Sequence, residues 1–369
     1  MGYTFVRGPF MLYETTAMLY KFVNKITFQS ILSRQRLMQG APATKALVRR
    51  MNRLQEILDE VCADLNAEDP VLRQYFGRIV SDGEETCLAY LLTEAFGAPD
   101  GSGFQESLDR IRAMWTEYRA RGFWITNDSA NTLTFCDEPR TFKDLFAEIQ
   151  ALNLSADLRL QIYGALRDFD ASMTELANLM EPLAQHLEAL YARESWILEE
   201  TQEYWQAIFD NQSPIDFLLS HIDARTLENA GEDTRVAIML MNCSHIHYWL
   251  RQDGCIPHEY SFIYIGSSIS VTSITRKQND DMESIGAILR AIGDKKRLET
   301  LRLLSKERMY LHELAEHMGI DPGSMSRILA ALHGCGFLRQ ERVALRNYYQ
   351  TDREIIHSFL ELVETVIFQ

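Results

Sequence analysis

Long apolar runs are missing from this sequence. No segment reaches the roughly 18 uninterrupted apolar residues of a membrane-spanning helix, and the first residues, MGYTFVRGPFMLYETTAMLYKF, lack the basic start and apolar centre of a secretory leader. The expectation is a soluble, cytoplasmic protein with no membrane partner. Cysteine is scarce as well: Cys62, Cys87, Cys136, Cys243, Cys255 and Cys335 are spread over 369 residues, which reads as reduced thiols rather than a disulfide framework. There is no glycine-rich phosphate loop, no nucleophile elbow and no His-Glu-x-x-His, so no enzymatic activity is expected. The GCG and FGAPDGSGF stretches are too short or irregular to hold a nucleotide. Internal repeats and low-complexity tracts are absent.

Positive charge is also in short supply, with 37 Lys and Arg against 52 Asp and Glu and a net charge of −15. Taken over the whole chain, that balance argues against a polyanionic partner. The deficit is unevenly distributed, however. Residues 1–282 hold 25 basic and 40 acidic side chains, residues 283–351 hold 11 and 8, and the last eighteen hold 1 and 4. Because the field of a charge is screened within about 10 Å at ordinary salt, the mildly basic segment has to be judged by itself.

What is present is ordinary globular material, 46% apolar and 24% charged, in a chain long enough for two or three domains. Most of the first 230 residues read as helix. In Thr44–Leu65 the residues Leu47, Met51, Leu54, Leu58 and Cys62 recur at steps of three and four, which makes one apolar stripe on a solvated helix. Similar stripes run through Glu85–Phe96, Phe104–Tyr118 and Thr141–Leu152. Ala156–Phe209, with only Gly164 and Pro182 as breakers, predicts long helices with a break or kink near Pro182. Gly122–Pro139 suggests a small hairpin or ordered loop. From Arg235 the Val, Ile, Tyr and Thr content predicts two or three antiparallel strands reaching to about residue 275, with Tyr3–Val6 as a possible further strand. Trp115, Trp124, Trp196, Trp205 and Trp249 read as core side chains before pocket lining. The polar RKQNDDMES, Arg276–Ser284, marks a boundary. The expected class is therefore mainly α with small β elements (α+β). A helical domain with a small antiparallel sheet spans residues 1–280, and a separate domain spans 281–369.

The second domain has a defined order of elements. MESIGAILRAIGD is a helix with Ile285, Ile288, Leu289 and Ile292 on one face, and KKRLETLRLLSKE follows with Leu298, Leu301 and Leu304. YLHELAEHMGI ends on Gly319, which is suited to the left-handed conformation that closes a helix. PGSMSRILAALHGCG then starts a fourth helix, with Pro322 in its first turn. Leu311, Leu314, Ala315, Ile320, Met325, Ile328, Leu329 and Leu332 would lock this pair together, which is the helix-turn-helix pattern. FLRQERVALRNYYQT reads as a wing-like hairpin carrying Arg339, Arg342 and Arg346. DREIIHSFLELVETVIF closes as an amphipathic helix of Ile355, Ile356, Phe359, Leu360, Leu362, Val363 and Val366.

On these residues, above all LRAIGDKKRLETLRLL, HELAEHMGIDPGSMSRILAALHGCGFL and NYYQ, the segment 286–351 resembles the winged-helix domain of the ArsR family of bacterial transcriptional regulators. The stretch 235–270 more weakly resembles family members with a long N-terminal domain. The resemblance implies a homodimer that sets two recognition helices in successive major grooves of double-stranded operator DNA, with an interface formed by the helices near 283–293 and 352–368. It implies DNA contacts from Ser324, Ser326 and Arg327 at the start of the fourth helix, where Arg can bridge guanine O6 and N7. It also implies contacts from Arg339, Arg342 and Arg346 on the wing, and it favours repression. Ile328 stands where the family often has His, and the wing turn VALR lacks the common Gly.

Metal sensing is the family's best-known activity, but the thiolate pair of such sensors corresponds here to Tyr310 and His312, so a soft metal lacks donors. Asp352, His357, Glu361 and Glu364 resemble part of a zinc site without its second His. Cys243, His245 and His247 would share one face of a strand, with Cys255 and His258 beyond a turn. That set makes zinc a secondary possibility, against the expectation of no metal and no cofactor. The reading for the whole chain is a sequence-specific DNA-binding regulator whose N-terminal domain senses an unidentified small molecule or peptide. The alternatives are an enzyme or protein-interaction domain fused to a winged helix, or a zinc-responsive regulator.

Overall fold

In the computed structural model of the protein, residues 2–6, 8–39, 44–81, 84–93, 103–121, 123–125, 133–135, 142–152, 154–221, 233–249, 261–270, 281–343 and 346–367 are described. In chain order, β1 (Gly2–Phe5) leads into α1 (Met11–Val23), α2 (Phe28–Gln39), α3 (Lys45–Val61) and α4 (Pro70–Phe76). A hairpin, β2 (Ile79–Ser81) and β3 (Glu84–Thr86), precedes α5 (Leu88–Thr93) and α6 (Phe104–Arg121). A second hairpin, β4 (Phe123–Ile125) and β5 (Leu133–Phe135), precedes α7 (Phe142–Ala151), α8 (Ala156–Arg167), α9 (Phe169–Arg193), α10 (Trp196–Phe209) and α11 (Pro214–His221). Next come β6 (Asp233–Met239), β7 (Ile246–Trp249) and β8 (Ser261–Gly266). The C-terminal elements are α12 (Asp281–Ile292), α13 (Lys295–Leu304), β9 (Met309–Tyr310), α14 (Leu311–His317), α15 (Pro322–Gly334), β10 (Leu338–Val343), β11 (Arg346–Thr351) and α16 (Arg353–Ile367). The class is mainly α with small sheets.

Two compact units emerge, one of Met1–Thr27 with Arg53–Ile269, the other of Phe28–Asn52 with Ser270–Gln369. Residues 28–52 thus group with the C-terminal region, although the sequence reading assigned them to 1–280. The expected boundary at 276–280 lies outside the described residues.

The first unit is organised around α1, twelve of whose thirteen residues are buried. Helices α4, α5, α6 and α9 pack on it. Helix α9 runs 25 residues straight through Pro182, and the breaks fall at Asp168 and at Glu194–Ser195 instead. Proline deprives a helix of one backbone bond at a cost of about 3 kcal/mol. The buried stripe Met173, Leu176, Met180, Ala184, Leu187 and Leu190 continues on both sides of it, and that burial outweighs the loss. Trp115 stacks on Phe169 at 4.5 Å and Trp205 packs between Phe209 and Phe217, so both are core, as expected.

The sheet of this unit has the order β1-β6-β8-β7. Tyr3–Phe5 does join it, but β1, β6 and β8 run parallel and only β7 is antiparallel to its neighbour. The expectation of an antiparallel sheet is corrected on this point. Its physical reason is legible afterwards: β8 is buried at every position and β6 at most, the near-continuous apolar run of strands covered on both faces.

In the second unit one core gathers Ile285, Leu301, Leu304, Leu314, Met325, Leu329, Leu332, Phe337, Ile355 and Phe359. Leu298, expected on the inner stripe of α13, is 51% exposed. The three-stranded sheet has the order β10-β11-β9, so the hairpin is anchored by the short strand just before α14. Helix α2 packs along α16.

Candidate nucleic-acid interface

Two local features aim α15. Gly319 sits at φ +60°, a backbone conformation that costs other residues a Cβ clash, and Ile320 N–H donates to Ala315 O at 3.0 Å to close α14. Asp321 then caps the next helix: its Oδ1 accepts from Ser324 N–H at 2.9 Å, with Pro322 at the first helical position. Met325, Ile328, Leu329 and Leu332 turn into the core with Leu314 and Ala315, while Leu311 and Ile320 are partly buried against it. All eight expected locking residues take that role. Ser326 and Arg327 are left exposed and Ser324 partly so. Ile328 is a core side chain here and is turned away from solvent.

Ser324 is engaged locally. Hydrogen bonds from its hydroxyl and backbone N–H hold the Asp321 carboxyl below the usual carboxylate range. Arg327 Nη2 in turn donates to Ser324 Oγ at 3.2 Å. The helix start therefore presents a guanidinium steadied by a serine that is itself steadied by the cap.

The three wing arginines separate in the structure. Arg339 is committed to Asp352, donating from Nε to Oδ2 at 2.7 Å and from Nη2 to Oδ1 at 3.1 Å. Asp352 is buried and also accepts from Ile355 N–H, so this pair fastens the hairpin to the start of α16. That bidentate pairing gives Arg339 a structural partner within the protein, while its side chain stays 56% exposed. Arg342 pairs in register with Asn347 on β11, and its side chain lies outside the described residues. Arg346 is exposed and lies over the Tyr310 ring, 4.5 Å from its centroid. Arg308, Tyr310 and Tyr348 complete that surface. Nothing local in the sequence announces that β9 pairs with β11, which is what brings Tyr310 beside Tyr348.

The histidine–cysteine grouping of the first unit divides as well. Cys255 and His258 lie outside the described residues. Cys243 is in the turn between β6 and β7, His245 just precedes β7 and only His247 is on the strand, which corrects the shared-face expectation. Burial pushes its thiol above the ordinary range, the wrong direction for a thiolate ligand. Asn242 bridges the two histidines, its Oδ1 2.9 Å from His245 Nδ1 and its Nδ2 3.2 Å from His247 Nε2. That arrangement takes a proton on His245 Nδ1 and none on His247 Nε2. Asp352 of the other partial zinc set is held by Arg339, while His357 and Glu364 are exposed. Among the described residues no group of three or more His, Cys, Asp or Glu is placed to hold a metal ion.

Burial lowers the pKa of His247 from 6.5 to about 4. A folded state that binds its proton less readily than the unfolded chain loses stability as pH falls from about 6.5 towards 4. His247→Gln is expected to remove about 3 kcal/mol of that acid sensitivity. Urea titrations of both proteins across this range would show it; parallel pH curves would refute the assignment.

The helix-turn-helix, its capped second helix and a hairpin with an exposed arginine together form a surface able to meet a nucleic-acid backbone and groove. Residues 294–340 match the family model described as bacterial regulatory protein, arsR family. No curated protein sequence matches the chain. No helix among the described residues is long and apolar enough to cross a membrane.

Proposed function

Starting from residues 294–340 as an arsR-family helix-turn-helix domain, and hence from a DNA-binding transcriptional regulator, we propose that the chain is a cytoplasmic homodimeric repressor. Its substrate is double-stranded operator DNA, its N-terminal unit senses a small organic molecule or peptide, and it carries out no catalysis. The observation that carries this reading is the exposed Ser326–Arg327 start of α15, held by Gly319 and the Asp321 cap. Dimerisation is supported by apolar side chains left exposed on α12 and α16, which pack together in the second unit: Leu289 at 44%, Leu360 at 57% and Ile367 at 66%. Helix α2 already covers part of α16, so a partner would meet the part of that helix that α2 leaves open.

The test is binding to a duplex from the region upstream of the protein's own gene, with mass measured by light scattering. A dimer reading two half-sites one helical turn apart, about 34 Å, is expected. Weak, sequence-independent binding at low salt would overturn the regulator reading. For the sensor role, metabolites that raise the melting temperature are expected to release the DNA as well. A stabilising ligand that leaves DNA affinity unchanged counts against it.

A further inference from the structure

On the sheet of the second unit, Tyr310 of β9 stands opposite Tyr348 of β11 in register. Because side chains alternate along a strand, Arg346 and Tyr348 share one face of β11. On that face guanidinium groups and rings alternate. Arg346 Cζ lies 4.5 Å from the Tyr310 centroid, Tyr310 meets Tyr348 edge-on at 5.7 Å, and Arg308 Cζ lies 5.6 Å from the Tyr348 centroid. Arg308 also pairs with Glu341 of β10 at 2.6 Å, which offsets that carboxylate's charge beside the row.

We propose that Tyr310 is a positioning residue for the wing's contact with DNA, holding Arg346 in place to meet a phosphate. The inference rests on the DNA-binding reading above and deepens it. A guanidinium held over a ring is attracted by the ring's electron-rich face, so its position is fixed without an acceptor having to engage its N–H donors. Arg339 is the contrast: its Nε and Nη2 are held by Asp352. Among the described residues no acceptor engages Arg346. A long exposed side chain loses rotamer freedom when it binds, and stacking on Tyr310 removes much of that loss beforehand. Tyr310 is itself fixed, since its N–H donates to Glu313 Oε2 at 3.0 Å and it caps α14. The ring thus ties the wing to the first helix of the helix-turn-helix.

The experiment is fluorescence anisotropy of the full chain, over a salt series, on a short random-sequence duplex and on the upstream duplex. Arg346→Ala should weaken binding roughly tenfold and lower the salt slope by about one. Tyr310→Leu should weaken it roughly two- to fivefold, Tyr310→Phe should restore wild-type binding, and Tyr310→Leu should add nothing in the Arg346→Ala background. Arg346→Lys keeps the charge but not the flat stack, so it should lose about as much as Tyr310→Leu with the salt slope unchanged. That variant keeps the test open if Tyr310→Leu folds poorly. Wild-type protein that binds neither duplex overturns the regulator reading and this inference with it. Wild-type binding with Tyr310→Leu unchanged, with no rescue by Phe, or with additive losses overturns the positioning role alone.

Discussion

Replacing Glu14 by alanine is expected to cost about 3–5 kcal/mol of stability, a large share of the 5–15 kcal/mol that holds a typical domain together. The carboxylate lies at the centre of the first unit. It accepts from Leu240 N–H at 2.7 Å, Met241 N–H at 2.6 Å and the Tyr191 hydroxyl at 2.9 Å. One side chain of α1 therefore satisfies the backbone where the chain leaves β6 and a buried hydroxyl near the end of α9. Burial raises its pKa, and the two N–H donors, Tyr191 and the nearby Lys21 pull it back. Alanine would leave three buried donors without an acceptor, each worth roughly 1–3 kcal/mol in lost hydrogen bonding. Glu14→Gln keeps one acceptor oxygen but turns an amide N–H₂ towards donors, so an intermediate loss is expected. Urea denaturation of the full chain measures both. A loss under about 1 kcal/mol for alanine would show that water or neighbouring groups replace the carboxylate.

Arg327→Ala is expected to lower affinity for the specific duplex by roughly ten- to a hundredfold, the 1–3 kcal/mol carried by a well-placed arginine on a base edge. The melting temperature should stay where it is, since the side chain is exposed and, among the described residues, its hydrogen bond is to Ser324. Transcription from the upstream promoter should rise in the variant if the protein represses. Unchanged affinity would remove Arg327 from the interface and shift specificity to the wing.

The second unit was largely legible in the sequence because its signals are local. Gly319, Asp321 and Pro322 are demanded by backbone geometry within a few residues, and the locking apolar residues recur at helical spacing. Composition by segment was informative for the same reason, since charge acts over a short screened range. The wing was legible as a hairpin, but the work of its arginines was not. Arg339 and Arg346 look equivalent in FLRQERVALR, and only distant partners, Asp352 for one and Tyr310 for the other, distinguish them.

The first unit shows the limits of local signals more sharply. Pro182 predicted a break or kink, and continuous burial on both sides carries the helix through it without a break. Strand direction depends on how a connection is routed, which alternation and propensity do not encode, and so three strands came out parallel. Glu14 and Lys21 in the sequence only interrupt an apolar stretch; in the structure both are buried. The sequence alone determined that most of the chain is helical, the close of α14 and the capped start of α15, and that residues near 319–338 present a short polar helix start. Tertiary structure decided which polar groups meet across the chain: Glu14 with Leu240 and Met241, Arg339 with Asp352, Arg346 with Tyr310, and α2 with α16. The reason is physical. Capping and periodicity act within a few residues, whereas a buried charge or a stacked guanidinium is stabilised by whatever the fold brings within a few ångströms.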